Sequence, residues 1–193
     1  SCVFEGERAY GGTIFKLREH TERLFQSATT MGFKIPYTID QIDAACIATC
    51  KANGIVDGYV RPVAWRGSEM MGVSAQNNRI NVAIAAWEWP SYFDPAQRLK
   101  GIRLDLAKYR RPDPMTAPSK SKAAGLYMIC TLSKHAAEQK GYADALMLDW
   151  RGQGGSWRAV SSPRKGHISS FSEYDRDLVR FAEALRSGSL VSK

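Results

Sequence analysis

No stretch of this chain approaches the ~20 consecutive apolar residues that a membrane-spanning helix needs. The first residues, SCVFEGERAY, lack the basic-then-apolar pattern of a secretory leader. They also lack an initiator methionine, so the chain reads as starting inside a longer protein. Cysteine is scarce: Cys2, Cys46, Cys50 and Cys130 contain no CxxC pair. Cys46 and Cys50, four apart on an expected helix, read as small buried apolar groups. There are only three histidines, none near those cysteines in sequence, so no metal centre is expected. A reduced, cytoplasmic protein is the expectation. Internal repeats and low-complexity tracts are absent, and 24% charged with 10% aromatic residues excludes disordered, collagen-like and coiled-coil chains.

What remains is an ordinary globular composition. A chain of 193 residues, 44% of them hydrophobic, can bury a core in one domain or in two small ones. The net charge is +8, from 27 Lys and Arg against 19 Asp and Glu. The basic residues are dispersed, and 15 of the 19 acidic residues lie among them before residue 154. The last forty residues, which include PRKGH, hold seven Lys or Arg against four Asp or Glu. That small local excess gives no coherent phosphate-binding stripe, and no nucleic-acid partner is expected.

Hydrophobic spacing outlines the elements. Val3 to Phe15 reads as two short strands around Gly11-Gly12, a hairpin signal. LREHTERLFQSATTM carries Leu17, Leu24, Phe25, Ala28 and Met31 at helical spacing. A second helix opens at Thr38 with Gln41 as the partner of a capping box, buries Ile42, Ala45, Cys46 and Cys50, and stops at Gly54. GYVRPVAW, INVAIAAW and IRLDLAKY read as strands, the last burying Ile102, Leu104 and Leu106 on one face. After the proline-rich RRPDPMTAPSK, a helix is expected from Ala123 to Lys140, and ALMLDWRG as a strand. The final residues change character, with glycine-rich GQGGSW followed by an amphipathic helix near Ser172 capped by Ser170 and Glu173.

Four local features could carry chemistry. Lys122, between the proline-rich loop and a helix start, could be an amine nucleophile that forms a Schiff base with a carbonyl. That role needs the neutral amine, hence burial or neighbouring cations; the alternative is a solvated surface lysine. Arg61 shares a strand face with Tyr59, Val63 and Trp65, and a charge among aromatics calls for an anion or carboxylate; the alternative is an edge strand with its guanidinium in water. Trp89 and Tyr92 in WEWPSYF could wall a pocket or simply pack. Arg23 on the first helix could grip a phosphate or stand exposed.

Taken in order, SCVFEGERAYGGTIFKLREHTERL, GYVRPVAWRG, AAWEWPSYF, SKAAGLY and GYADALMLD resemble the branched-chain amino-acid aminotransferases, members of the class IV, fold-type IV group that uses pyridoxal 5′-phosphate. The resemblance runs from Ser1 to about Gln153. It implies a mixed α and β, two-domain architecture: a small α/β domain over 1–97, with its boundary near Phe93 to Lys100, the start of a large cofactor-binding domain over 98–153, and a divergent tail over 154–193. It implies that Lys122 bonds covalently to the cofactor aldehyde and moves the proton between substrate and cofactor carbons. Arg23 matches the arginine on the cofactor phosphate, and Tyr127 a tyrosine on its phenolic oxygen. Phe4, Tyr59, Arg61, Trp89 and Tyr92 match side chains lining the substrate pocket. The implied reaction exchanges the amino group of leucine, isoleucine or valine with 2-oxoglutarate, in a homodimer.

The resemblance has an end. Beyond Leu148-Asp149 the family continues with a glutamate-bearing stretch such as EATGANIF, whose glutamate partners the cofactor ring nitrogen. Here the chain reads WRGQGGSWRAVSSPRKGH, with no glutamate until Glu173. A large domain truncated in this way implies a rate lower by orders of magnitude, because charge developing on the ring goes unmatched. The alternative reading is a non-catalytic family remnant acting as a dimerisation or interaction module.

Overall fold

A computed structural model describes residues 1–89, 100–147 and 183. Contacts divide the chain into Ser1–Met147 and Leu148–Lys193, and the elements below belong to the first unit. They are strands β1 (Cys2–Phe4), β2 (Glu7–Tyr10) and β3 (Thr13–Ile14), helices α1 (Leu17–Thr30) and α2 (Ile39–Ala52), strands β4 (Gly58–Arg66), β5 (Ile80–Glu88) and β6 (Leu104–Leu106), a 3-10 turn at Ala124–Tyr127, helix α3 (Met128–Gln139) and strand β7 (Asp144–Leu146). The fold is mixed α and β. Tyr92, most of the expected boundary segment from Phe93 to Lys100, and the tail helix near Ser172 lie outside the described residues.

Strand β4 is the axis of a five-stranded antiparallel sheet. Strand β5 runs along one side of it, pairing Tyr59 with Trp87 and Arg61 with Ala85. The other side is shared: β1 takes the Val63–Trp65 end and β2 the Gly58–Val60 end. Where the expectation was two strands before Phe15, the structure has three, because the chain breaks between Phe4 and Glu7. The physical reason lies opposite, at Pro62. The carbonyl of Pro62 faces this break and accepts from the Glu5 N–H at 2.9 Å. In an antiparallel ladder the N of that residue faces the same way, so the donor that proline lacks falls where one strand hands over to the next. Gly11 and Gly12, both at positive φ, turn β2 into β3 as the hairpin signal indicated.

Alternation along β4 sorts its side chains. Gly58, Val60, Pro62 and Ala64 are buried, whereas Tyr59, Arg61, Val63 and Trp65 are half-buried on the opposite face. The buried face meets α1 and α2 in a core containing Val3, Leu24, Ala28, Ile42, Cys46, Cys50, Val60 and Ala64. The thiols of Cys46 and Cys50 serve there as small apolar groups. The capping box of α2 forms as expected: Thr38 Oγ1 accepts from Gln41 N–H at 3.2 Å, and Gln41 Oε1 accepts from Thr38 N–H at 2.8 Å. Replacing Thr38 with alanine removes the first of these bonds. It should cost about 1 kcal/mol, read as a lower urea midpoint with an unchanged m-value.

Three expectations need correction. Leu104 and Leu106 of β6, expected on a buried face, are more than two-fifths exposed, and Ile102 is similarly open. Strand β6 has one partner among the described residues, the parallel β7, and α3 packs on this pair. The covered side is the one bearing Asp105, which Lys140 grips at 2.7 Å. The segment Ala123–Lys140 is not one helix: it starts as a 3-10 turn and becomes α-helical only at Met128, because Ala123 is held extended in a bridge to Val3. Strand β7 begins at Asp144, one residue before the expected ALMLDWRG segment, whose residues from Leu148 onward lie outside the described residues.

Candidate active site

The break between β1 and β2 places Glu5 over the middle of β4 with its side chain fully buried (0% exposed). A buried carboxylate is costly unless it is paired, and here three basic groups converge on it. Arg23, near the middle of α1, donates from Nε to Oε1 and from Nη2 to Oε2, both at 2.6 Å. His20, on the same face of α1, sets Nδ1 2.9 Å from Oε2. The third is Lys122, whose Nζ lies 3.4 Å from the same oxygen although it is 117 residues away in sequence.

Lys122 is held by its backbone on two sides. Its N–H donates to Ser27 Oγ of α1 at 3.0 Å, and its carbonyl accepts from the Phe4 N–H at 3.1 Å. Its side chain is 19% exposed, and Nζ stands over the Phe4 ring at 5.4 Å. The solvated-lysine alternative therefore fails. Burial holds the Lys122 pKa below the ordinary lysine value; Glu5 pulls it back up, while the Arg23 and Arg61 guanidinia add to the lowering. Burial alone would raise the Glu5 pKa, but the hydrogen bonds from Arg23 and His20 and the charges of Lys122 and Arg23 outweigh it and keep this carboxyl ionised. Arg23, half exposed at its side chain, binds Glu5 through Nε and Nη2, and Nη1 takes no part in the pair.

The open face of β4 supplies the other half of the site. Arg61 projects between rings, its guanidinium carbon 5.0 Å from the Phe4 centroid, 5.2 Å from Tyr59 and 5.8 Å from Trp87. Nη2 donates to the Tyr59 hydroxyl at 3.1 Å. Nε is buried without a hydrogen-bond partner, and no carboxylate among the described residues pairs with this guanidinium. The edge-strand alternative fails as well, because β4 is paired on both sides. Trp89 lies on the same wall, its ring 5.1 Å from Tyr59 and 5.7 Å from Trp87. Tyr127 joins from the 3-10 turn by edge-on contact with Phe4 at 4.8 Å. Burial raises the Tyr127 phenol pKa, with Cys130 and Glu5 adding to the effect. A cavity of about 190 Å³ opens beside Tyr127 and Ser121.

The structure thus gathers Phe4, Arg23, Tyr59, Arg61, Trp89, Lys122 and Tyr127; Tyr92 lies outside the described residues. The sequence reading missed Glu5 and Trp87. Glu5 had a signal in the alternation Val3, Glu5, Glu7, Ala9, which puts two acids on the inward face of a hairpin. Trp87 had one in its two-residue spacing from Trp89, which keeps both indoles on one side of β5 and its extension. Chemically, the arrangement offers a half-buried amine, a cation beside it, and an arginine framed by aromatic rings.

Residues 2–155 match the family described as amino-transferase class IV. The chain is 43% identical over 150 residues to a "probable branched-chain-amino-acid aminotransferase" of Rickettsia felis, covering 78% of this chain and 50% of that protein. Among solved structures, it is similar to the branched-chain aminotransferase of Thermoproteus uzoniensis with norvaline, at a TM-score of 0.70 and 34% identity, over 77% of this chain and 50% of that one. An aminotransferase from Brucella abortus, bound to the cofactor PLP, superposes with a TM-score of 0.65 at 27% identity, over 77% of this chain and 52% of that one. The chain spans about half the length of the curated relatives it matches.

Proposed function

Because this chain belongs to the amino-transferase class IV family, with the mixed α and β fold of its fold-type IV members, we propose that Lys122 is the catalytic amine of a pyridoxal-phosphate-dependent transaminase acting on branched-chain amino acids, with a 2-oxo acid such as 2-oxoglutarate as amino acceptor. The observation that carries this reading is one carboxylate, Glu5, joining a half-buried lysine amine to a half-exposed arginine. The donor set suits the cofactor. Lys122 offers an amine whose pKa burial lowers, Arg23 a guanidinium for a phosphate, and Tyr127 a phenol for a ring oxygen. When bound, pyridoxal phosphate supplies an electron sink for the carbanion at the substrate Cα.

The protein's own residues do the rest. Lys122 Nζ takes and returns a proton, a task helped by burial that lowers its pKa from the ordinary lysine value. Arg61, aimed by the Tyr59 hydroxyl, takes a carboxylate of the substrate in place of the missing protein partner. Phe4, Tyr59, Trp89 and Tyr92 exclude water and receive the aliphatic side chain. Such a wall separates side chains by only ~1–3 kcal/mol per methylene. Glu5 keeps Arg23 and Lys122 within one hydrogen-bonded group before any ligand arrives.

In this reading the small domain spans 1–97 and the start of the large domain 98–153. The antiparallel sheet ending at Glu88 and the parallel pair starting at Leu104 support that division. A homodimer in the cytoplasm completes the reading; the four free thiols suit a reducing compartment.

Borohydride reduction of the purified protein with pyridoxal phosphate tests the proposal. The expected result is a stable mass increment on the peptide containing Lys122, absent in Lys122→Ala. Increments spread over surface lysines such as Lys120, and unchanged in the variant, would defeat it. A folded chain that captures no cofactor would instead favour the reading as an interaction module.

A further inference from the structure

Behind the site lies a second buried carboxyl that the chemistry above leaves unused. Glu7, two residues along from Glu5 on the same inward face, is fully buried (0% exposed), and both of its carboxyl oxygens lack a hydrogen-bond partner among the described residues. It stands opposite Val60 of β4 and beneath the helix layer.

The charged groups around it are committed elsewhere. On its own side, Glu5 is taken up by Arg23, His20 and Lys122. From α2, Asp43 is held by Arg18 at 3.1 Å and by the Thr21 hydroxyl at 2.5 Å. The remaining titratable groups of α2 on this side, the Cys46 and Cys50 thiols, are themselves pushed up by burial and then by the charge of Glu7. Among the described residues, Lys122 is the cation that favours an ionised Glu7, and its amine already faces Glu5. A carboxylate in this position would face two other negative groups with no donor of its own.

We propose that Glu7 is a proton-bearing acid built into the core behind Lys122, and that release of its proton to solvent is a switch that weakens the fold and adds negative charge beside the Glu5–Lys122 pair. Burial first, then the charges of Glu5 and Asp43, raise its pKa from an ordinary 4.5 to about 8. The sign follows from linkage. Between those values the folded chain holds a proton that the unfolded chain has lost, so stability falls as pH rises and levels off above about 8. One such proton lowers the folding constant about tenfold per pH unit within that window. Above it, the new charge favours the ammonium form of Lys122.

The inference rests on the packing around Glu7 and not on the cofactor reading, so the two fail separately. Urea unfolding from pH 5 to 9 should be compared in the parent, Glu7→Gln and Glu7→Met. Relative to both variants, the parent should lose stability steadily from pH 5 to 8 and then run parallel. In the same samples without cofactor, labelling of Lys122 by an amine-selective acylating reagent, read by peptide mass, should lag in the parent above pH 8. Parallel stability profiles throughout would overturn the neutral acid. A normal slope with identical Lys122 labelling would overturn its link to the site. Glu7→Met keeps the test valid if the glutamine amide is not accommodated.

Discussion

Replacing Glu5 with alanine is expected to cost about 3 kcal/mol at pH 7, measured as the loss in unfolding free energy by urea titration. Removing one partner of a buried ion pair costs about 3–5 kcal/mol, because the other charge is left without compensation. The low end applies here. Arg23 is half exposed and can turn to water, whereas the Lys122 amine, at 19% exposure, cannot do so fully. The variant should also lower the Lys122 pKa further, since Glu5 is the group that raises it. The pH dependence discriminates this account from a simple cavity. The Glu5 pKa is depressed in the folded protein, so its contribution is complete above the unfolded value near 4.5 and is lost as pH falls through the lower, folded value. The gap between parent and variant should therefore narrow in acid. A gap constant from pH 7 to pH 3 would mean that packing, and not charge, is what Glu5 supplies.

Glu5 and Glu7 pull stability in opposite directions with pH: the Glu5 contribution is lost as pH falls into acid, and stability linked to Glu7 is lost as pH rises from about 4.5 to about 8. A carboxyl becomes a charged anchor or a neutral acid according to its partners. Glu5 has Arg23, His20 and Lys122 in contact; the Glu7 oxygens have no donor among the described residues.

The second large effect is expected at Gly58. A Cβ built there would lie 2.6 Å from the Trp87 carbonyl oxygen and 2.5 Å from Ile55 Cγ2. The first of these atoms is backbone of the neighbouring strand, which cannot move away without shifting the β4–β5 ladder. Gly58→Ala should therefore cost about 3 kcal/mol, toward the upper end for an overpacked core. It should also displace Trp87, whose ring leans on Tyr59 at 4.9 Å and on Arg61 at 5.8 Å. The readout is a lower urea midpoint together with a changed tryptophan emission maximum in native buffer. Gly125→Ala is the control, since a Cβ there meets nothing within 4 Å; it should stay within about 0.5 kcal/mol of the parent. Similar losses in both variants would remove close approach as the explanation.

Short-range features were legible in the sequence where the physics is local. The Gly11-Gly12 hairpin, the Thr38–Gln41 capping box and the helical stripe through Leu24 and Ala28 each depend on a few adjacent residues. Lys122, Arg23 and Arg61 entered as candidates, the order of the motifs that carry them made the family recognisable, and Tyr127 followed from that resemblance. Reading failed where burial depended on a distant partner. Leu104 and Leu106 alternate as in a half-buried strand, yet α3 covers the other side of β6. Trp87 and Trp89 sit in one motif, and only the pairing of Tyr59 with Trp87 reveals that the unassigned indole also braces Arg61.

By itself, the order of residues determined the hairpin turn, the capping box and the helical stripes, and which side chains carry reactive groups, because capping, turning and alternation are settled within a few bonds. Tertiary structure alone decided that a lysine and an arginine about a hundred residues apart would share one carboxylate. It also decided that an identical acid two positions further on would be left without a donor. Those outcomes follow from desolvation and Coulomb interactions, which depend on distances through space that no spacing along the chain encodes.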